Sequence, residues 1–253
     1  MLDFDRTISP DDHMLTADLE SYFRTAQSGI DCILASLAAA GKNTDDIRSV
    51  LDFGSGYGRV YRALAAAFPD AQRTACDLME PAARFCAETF GGDWLKSDEN
   101  LDNVALPRRY DLVWLGSVFT HLPSYRWVRL LNFLASATNA NGIVVFTTHG
   151  WKAIGHLENF TLKRNPYILD ASRFEGMKDS LQFTGFDYIP NKPKVIDHQN
   201  ARGITVSQNE YGISFSEEWW VRTLIEKMPE WRLIRYAAPG WGGNHDAATL
   251  IRN

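Results

Sequence analysis

Between residues 49 and 148 the chain alternates short apolar runs with stretches whose apolar side chains recur every three or four positions. Ser49 to Phe53 reads Ser-Val-Leu-Asp-Phe and ends at glycines, which predicts a buried strand. Val60, Leu64, Ala67 and Phe68 follow at helical spacing, and Pro69-Asp70 stops that helix. Arg73 to Asp77 predicts a second strand. Pro81 stands where a first helical turn tolerates proline, and the helix runs through Phe85, Cys86 and Phe90 to Gly91-Gly92. A third strand is expected near Asp93 to Leu95 and a fourth over Tyr110 to Gly116. Pro123 opens a helix with Trp127, Leu130, Leu131 and Leu134 on its apolar face. Asn141-Gly142 then reads as a turn into a fifth strand, Ile143 to Thr148.

Outside this region the pattern changes. Leu19, Phe23, Ile30, Ile33 and Leu34 predict an N-terminal helix that also carries Tyr22. Residues 150–213 fit no strand–helix unit and hold aromatics, prolines and turn signals. Long segments of that kind are usually functional. In the tail, Ser216 is placed to cap a helix with Glu217 and Glu218 in its first turn, and with Trp219, Trp220, Leu224 and Ile225 on its apolar side. Trp231 to Ala237 and Asp246 to Arg252 are strand-like runs joined by Pro239-Gly240-Trp241-Gly242-Gly243.

Strands that alternate with helices need crossovers, and crossovers imply parallel pairing. The expected fold is therefore α/β: a doubly wound, mostly parallel seven-stranded sheet closed by a C-terminal antiparallel hairpin. The expected organisation is a helical cap over 1–44, a cofactor-binding core over 45–149, an insertion covering the acceptor site over 150–213, and a helix and hairpin over 214–253 that complete the core. Ligands of such sheets sit at the carboxyl ends of the strands, near the switch point.

Composition narrows the function. The 253 residues are 45% hydrophobic and 23% charged, as in a soluble globular protein. No apolar run approaches a membrane span, and Met1 to Thr16 lacks a secretory pattern, so a cytoplasmic protein is expected. Cys32, Cys76 and Cys86 are odd in number and lack metal spacing, and are read as reduced core thiols. A net charge of −5 disfavours nucleic acid as a partner, and Arg108-Arg109 is read as a solvated turn. Oligomeric state cannot be read.

The chemical signal is Asp52-Phe53-Gly54-Ser55-Gly56-Tyr57-Gly58, a strand ending in an acid followed by three glycines and a helix. Glycines let backbone approach a ligand, and N–H groups at a helix start favour an anionic group. Dinucleotide loops use G-x-G-x-x-G, whereas this loop is G-x-G-x-G with an acid two positions before it. That acid would face an ammonium, which a dinucleotide does not offer there. Asp77 closes the second strand, where a carboxylate can accept both hydrogen bonds of a ribose diol.

Through Asp52 to Gly58, Asp77, and Tyr110 to Pro123, the chain resembles the class I S-adenosylmethionine (SAM)-dependent methyltransferases. The ending Gly242-Gly243-Asn244-His245-Asp246 more distantly resembles enzymes acting on small molecules or surface glycans. The resemblance implies SAM as cofactor, with S-adenosylhomocysteine (SAH) as product. It sets Asp52 near the SAM amino group, and Gly54, Ser55, Gly56 and Tyr57 under the methionine. Asp77 holds the ribose, and Leu78 and Met79 lie against adenine. Asp98 or Asn100 meets the adenine edge, Leu115 to Ser117 offers backbone groups to the amino end, and Tyr22 closes over the cofactor.

A hydroxyl acceptor usually needs a base, whereas an amine needs only its lone pair. His121, His149 and His245 follow the fourth strand, the fifth strand and the hairpin turn, and are the candidates. Trp151, Tyr167, Phe183, Tyr188 and Tyr211 are aromatics available to an acceptor pocket. Asn165-Pro166-Tyr167 resembles the Asn-Pro-Pro-Tyr string of nucleic-acid amino methyltransferases but lacks one proline and falls in the wrong place. His149 and His156 have no third ligand spaced with them, so no metal is expected. The leading expectation is methylation of a hydroxyl or amine on a small molecule such as a sugar, glycan precursor or natural product. The alternatives are a nicotinamide-dependent oxidoreductase and a catalytically silent scaffold subunit with the same fold.

Overall fold

The structure is a computed structural model and describes residues 2–15, 18–158, 171–191 and 210–253. Strands β1 (Ser49–Phe53), β2 (Gln72–Asp77), β3 (Asp93–Lys96), β4 (Tyr110–Leu115), β5 (Thr138–His149), β8 (Trp231–Trp241) and β9 (His245–Arg252) form one sheet in the order β3-β2-β1-β4-β5-β9-β8. β1 to β5 pair in parallel, whereas β9 runs antiparallel between β5 and β8. The chain leaves β1 outward to β3 and returns at β4, so the switch point lies between β1 and β4, as the α/β pattern predicts.

The central strands are mostly apolar because both of their faces are covered. Val50, Leu112, Trp114, Ile143 and Val145 pack with Ile30, Ile33 and Leu37 of α1 (Leu19–Ala39) and with Ala63 and Leu64 of α2 (Tyr61–Ala67). Leu51, Val113, Leu115, Val144 and Phe146 point the other way, onto Trp127, Leu130 and Leu134 of α4 (Ser124–Ala137) and Val221 and Ile225 of α7 (Glu218–Glu226). Each such fully buried aliphatic side chain contributes about 1.5–3 kcal/mol. α3 (Glu80–Phe90) packs Ala83 and Cys86 against Tyr61 and Ala75. All three cysteines are buried and free, as expected.

Several expected boundaries move, for physical reasons. The segment 1–44 does not stand apart as a cap, because α1 is a full layer of the core; its Leu19 and Leu34 are exposed. Asn141-Gly142 lies within β5 rather than ahead of it. Tyr110 pairs with Thr138 and Leu112 with Ile143, so residues 139–142 bulge opposite Asp111, with Asn141 at φ 59°. β8 continues through Pro239-Gly240 to Trp241, which an edge strand tolerates. The turn proper is at Gly242 and Gly243, with φ of 60° and 80°.

Within 150–213, α5 (Trp151–His156) and α6 (Ala171–Thr184) lead to an antiparallel pair, β6 (Phe186–Pro190) and β7 (Gly212–Ser216). Ile154, Phe174, Met177, Leu181, Ile189, Ile213 and Phe215 form a small core of their own. Ser216 ends β7 and is buried, so Glu217, not Ser216, stands at the N-cap of α7. Trp219 is exposed there, while Trp220 stacks on Phe186 at 4.4 Å. Asn165, Pro166 and Tyr167 lie outside the described residues.

Candidate functional site

A cavity of about 350 Å³ opens at the carboxyl ends of β1, β2 and β4. This is within the usual range for small-ligand sites. Its floor is the glycine loop after β1. Gly54, Gly56 and Gly58 have φ of 87°, 51° and 80°, which side chains other than glycine's adopt only at a cost. A Cβ on Gly54 would lie 2.5 Å from Val118 Cγ2, and one on Gly58 2.8 Å from Phe90 Cε2. Gly56 has no atom within 4 Å of its Cβ position, so its bare backbone is open.

Asp52, Gly54, Ser55, Gly56, Tyr57, Asp77, Leu78, Met79, Asp98 and Ser117 all line the cavity. Asp77 is tied to the loop: its Oδ2 accepts from the Gly56 N–H at 2.7 Å and its Oδ1 from the Met79 N–H at 2.9 Å. The carboxylate keeps further acceptor capacity beyond these two bonds. Burial pushes the Asp77 carboxyl up, and backbone N–H bonds from Met79, Gly56 and Leu78 counter it. Asp52 is 2% exposed and its Oδ2 has no partner among the described residues. Burial raises its carboxyl well above the ordinary carboxylate range, and the neighbouring Asp77 adds to the rise. A buried carboxylate oxygen without a partner is costly and fits an arriving cation.

Three expectations need correction. The loop does not present a row of free N–H groups. Those of Gly54 and Ser55 donate to the Cys76 carbonyl, that of Gly56 to Asp77, and that of Gly58 to the Ser55 carbonyl. Leu115 points into the core below the sheet, and the Ser117 N–H donates to Thr147 Oγ1 at 2.7 Å, so Trp114 and Gly116 face the cavity instead. Tyr22 does not line the cavity; it is buried behind it, donating its hydroxyl to Asp12 Oδ2 at 2.5 Å. Of the two candidates after β3, Asp98 lines the cavity, whereas Asn100 caps the turn at Leu101–Asn103.

The three histidines part company. His121 lines the cavity. Its Nδ1 lies 2.8 Å from the Gly212 carbonyl, which only accepts, so Nδ1 carries the proton and Nε2 keeps its lone pair. Its ring stacks on Tyr211 at 4.9 Å, and burial lowers its basicity. His149 and His245 pair across β5 and β9, with rings 4.7 Å apart, and neither lines the cavity. His245 donates Nδ1–H to Asn244 Oδ1 at 2.9 Å, its Nε2 lies 3.4 Å from Ser117 Oγ, and burial pushes it down to about 3. Burial also drives His149 away from the charged state, with His245 and His121 adding to it. Ser117 itself holds φ 61°. Among the described residues no cluster of metal-ligating side chains occurs.

Some residues in and around the walls were not singled out by the sequence pattern. Arg62 is 1% exposed and donates to the carbonyls of Gly58, Asp5 and Thr7, fastening the N-terminal segment to the loop. Arg126 donates to the Glu99 carbonyl at 2.6 Å and pairs with Glu210, while Ser214 Oγ donates to the Phe119 carbonyl. Tyr211, among the expected aromatics, lines the cavity. Trp151 and Phe183 are exposed, and Tyr188 is half-buried away from it.

Residues 51–144 match the family model of the methyltransferase domain. No curated protein sequence matches the chain. Among solved structures, an O-methyltransferase family protein from Burkholderia thailandensis is 14% identical with a TM-score of 0.54, over 92% of this chain and 58% of that one. Magnesium protoporphyrin IX methyltransferase from Synechocystis PCC 6803, with bound SAH, is 15% identical with a TM-score of 0.52, over 94% and 89%. Human N-acetylserotonin methyltransferase, in complex with SAM, is 14% identical with a TM-score of 0.50, over 90% and 52%. The chain thus spans little more than half the length of the human and Burkholderia proteins. No described helix is long and apolar enough to cross a membrane. Residues 51–144, the glycine loop among them, thus match the model of a methyltransferase domain, and the fold of the chain is similar to that of solved methyltransferases.

Proposed function

We propose that this protein transfers a methyl group from SAM to a hydroxyl of a small acceptor, with His121 as the base. The observation that carries the reading is the partnerless Oδ2 of Asp52 below the glycine loop, with Asp77 beside it. Asp52 pairs with the ammonium of the amino-acid end. The acceptor capacity left on Asp77 takes the ribose, Leu78 and Met79 cover the base, and Asp98 meets its edge. When bound, SAM supplies a sulfonium whose methyl is already activated for in-line displacement. The protein then has to hold the acceptor oxygen in line, which is worth up to about 7–11 kcal/mol in ideal cases. It must also take the hydroxyl proton. His121 Nε2 is free to accept it, and the Gly212 carbonyl keeps the ring in the required tautomer.

A nicotinamide dinucleotide fits less well. The N–H groups of Gly54, Ser55, Gly56 and Gly58 are engaged within the protein, and Asp52 would repel a pyrophosphate. That the Burkholderia neighbour is an O-methyltransferase family protein supports oxygen over nitrogen as acceptor. Calorimetric titration with SAH and with NADH tests the cofactor, and transfer of label from methyl-labelled SAM into a metabolite extract tests the reaction. Binding of NADH without SAH would overturn the reading.

A further inference from the structure

One wall of the cavity is made by residues other than Asp52 and Asp77. Asp12 and Met14 come to it from the N-terminal segment, Arg59 from the end of the glycine loop, and Trp241 from the β8–β9 hairpin. The Arg59 guanidinium carbon sits 5.3 Å from the centre of the Trp241 ring. Stacking occupies the flat face of a guanidinium and leaves its in-plane N–H donors unused. Arg59 makes no hydrogen bond or ion pair with any described residue. The other cavity guanidinium, Arg126, is taken by Glu210 and the Glu99 carbonyl. Asp12 is on the same wall, but its oxygens accept from the Tyr22 hydroxyl and the Met14 N–H and it forms no ion pair with Arg59. A half-buried, stacked guanidinium facing a cavity with its fork unused is built for a planar or tetrahedral anion.

We propose that Arg59 anchors the acceptor by an anionic group, so that the substrate is an acidic small molecule whose carboxylate or phosphate meets the Arg59 fork beside Trp241. This rests on the methyl-transfer reading, which sets the cofactor's amino-acid end at Asp52. The cofactor's carboxylate is bonded to the carbon that bears its ammonium and stays with it. We assign the anion on Arg59 to the second ligand, and the SAH affinity of the Arg59 variants decides between it and the cofactor's carboxylate.

The test is calorimetry on the full chain saturated with SAH, using 4-hydroxybenzoate and phenyl phosphate as anionic probes and 4-hydroxybenzamide as the neutral one. At least one anion is expected to bind ten-fold or more tightly than the amide. Arg59→Gln abolishes that preference and leaves SAH affinity within two-fold. Arg59→Lys keeps the charge but loses the fork, so the preference falls by at least three-fold; this variant decides the matter if the glutamine form does not fold. The proposal is overturned if the wild type prefers no anion, or if the substitution weakens SAH ten-fold and spares the preference, which would assign the fork to the cofactor's carboxylate. Should SAH not bind while the probes bind in an Arg59-dependent way, the methyl-transfer reading falls and the anion site stands.

Discussion

Asp52→Asn should move stability and cofactor affinity in opposite directions. Asp52 is 2% exposed, Oδ2 has no partner, and burial holds its carboxyl well above the ordinary range. A folded-state pKa above the unfolded value, about 3.9, means that the group costs nothing below that value. Its penalty then grows as pH rises towards the folded pKa. An unsatisfied buried acceptor costs about 1–3 kcal/mol, and more when charged. Asparagine keeps the shape and drops the charge, so the ligand-free variant should gain about 1 kcal/mol or more at neutral pH. For a chain of this size that raises Tm by about 2–4 °C per kcal/mol. The same change removes a charge-assisted bond to the ammonium, worth about 1.5–3 kcal/mol, so SAH affinity should fall about 10- to 100-fold. Wild-type SAH affinity should also weaken as pH falls below the raised pKa of the free protein, by up to about ten-fold per unit, because binding must expel a proton. The variant should lose that dependence. Scanning calorimetry without ligand and titration with SAH across pH measure both quantities. A variant that melts below the wild type, or one that binds SAH within three-fold of it, would refute the role given to this carboxylate.

Three further outcomes are expected. His121→Ala should lower kcat by about 10²–10⁴-fold while SAH affinity holds. Because the folded His121 pKa is lowered, wild-type activity should be level at neutral pH and fall only below the ordinary histidine range; a pH–rate profile on an identified acceptor checks both. Gly56→Ala and Gly58→Ala each carry a backbone cost of about 1–2 kcal/mol for positive φ. Only Gly58→Ala also meets side chains, Phe90 Cε2 at 2.8 Å and Cys86 Sγ at 3.0 Å, so denaturant unfolding should rank it the less stable. Arg62→Met leaves the carbonyls of Thr7 and Asp5 without their donor and removes one of the two donors to the Gly58 carbonyl, which keeps the backbone N–H of residue 62. Its loss should cost about 1.5–3 kcal/mol and open the N-terminal segment to limited proteolysis, and unchanged cleavage kinetics would show that something else fastens it.

What the chain reveals without coordinates is what repeats locally. The strand–glycine–helix unit around Asp52 is legible because the apolar run, the acid and the glycines are neighbours in sequence. β5 is half legible: Ile143 to Thr148 is apolar, but Thr138 to Gly142 is strand only because Tyr110 and Leu112 hold it in register. Ser216 has the chemistry of a helix cap, yet pairing with Phe186 makes it the end of β7. The histidines look alike in sequence, and only the bond from Nδ1 to the distant Gly212 carbonyl sets His121 apart. Arg59, Arg62 and Glu210 carry no local signal, because their meaning lies in partners far along the chain or in the lack of one.

The placement of β9 has a consequence for how the molecule is assembled. Residues 245–252 come late in the sequence, yet they lie inside the sheet, bonded to β5 on one side and β8 on the other. Until they emerge during synthesis, the long flank of β5 is a bare row of hydrogen-bonding groups, open to any stray strand. Chains cut short before residue 245 should therefore accumulate as aggregates rather than as weakened monomers.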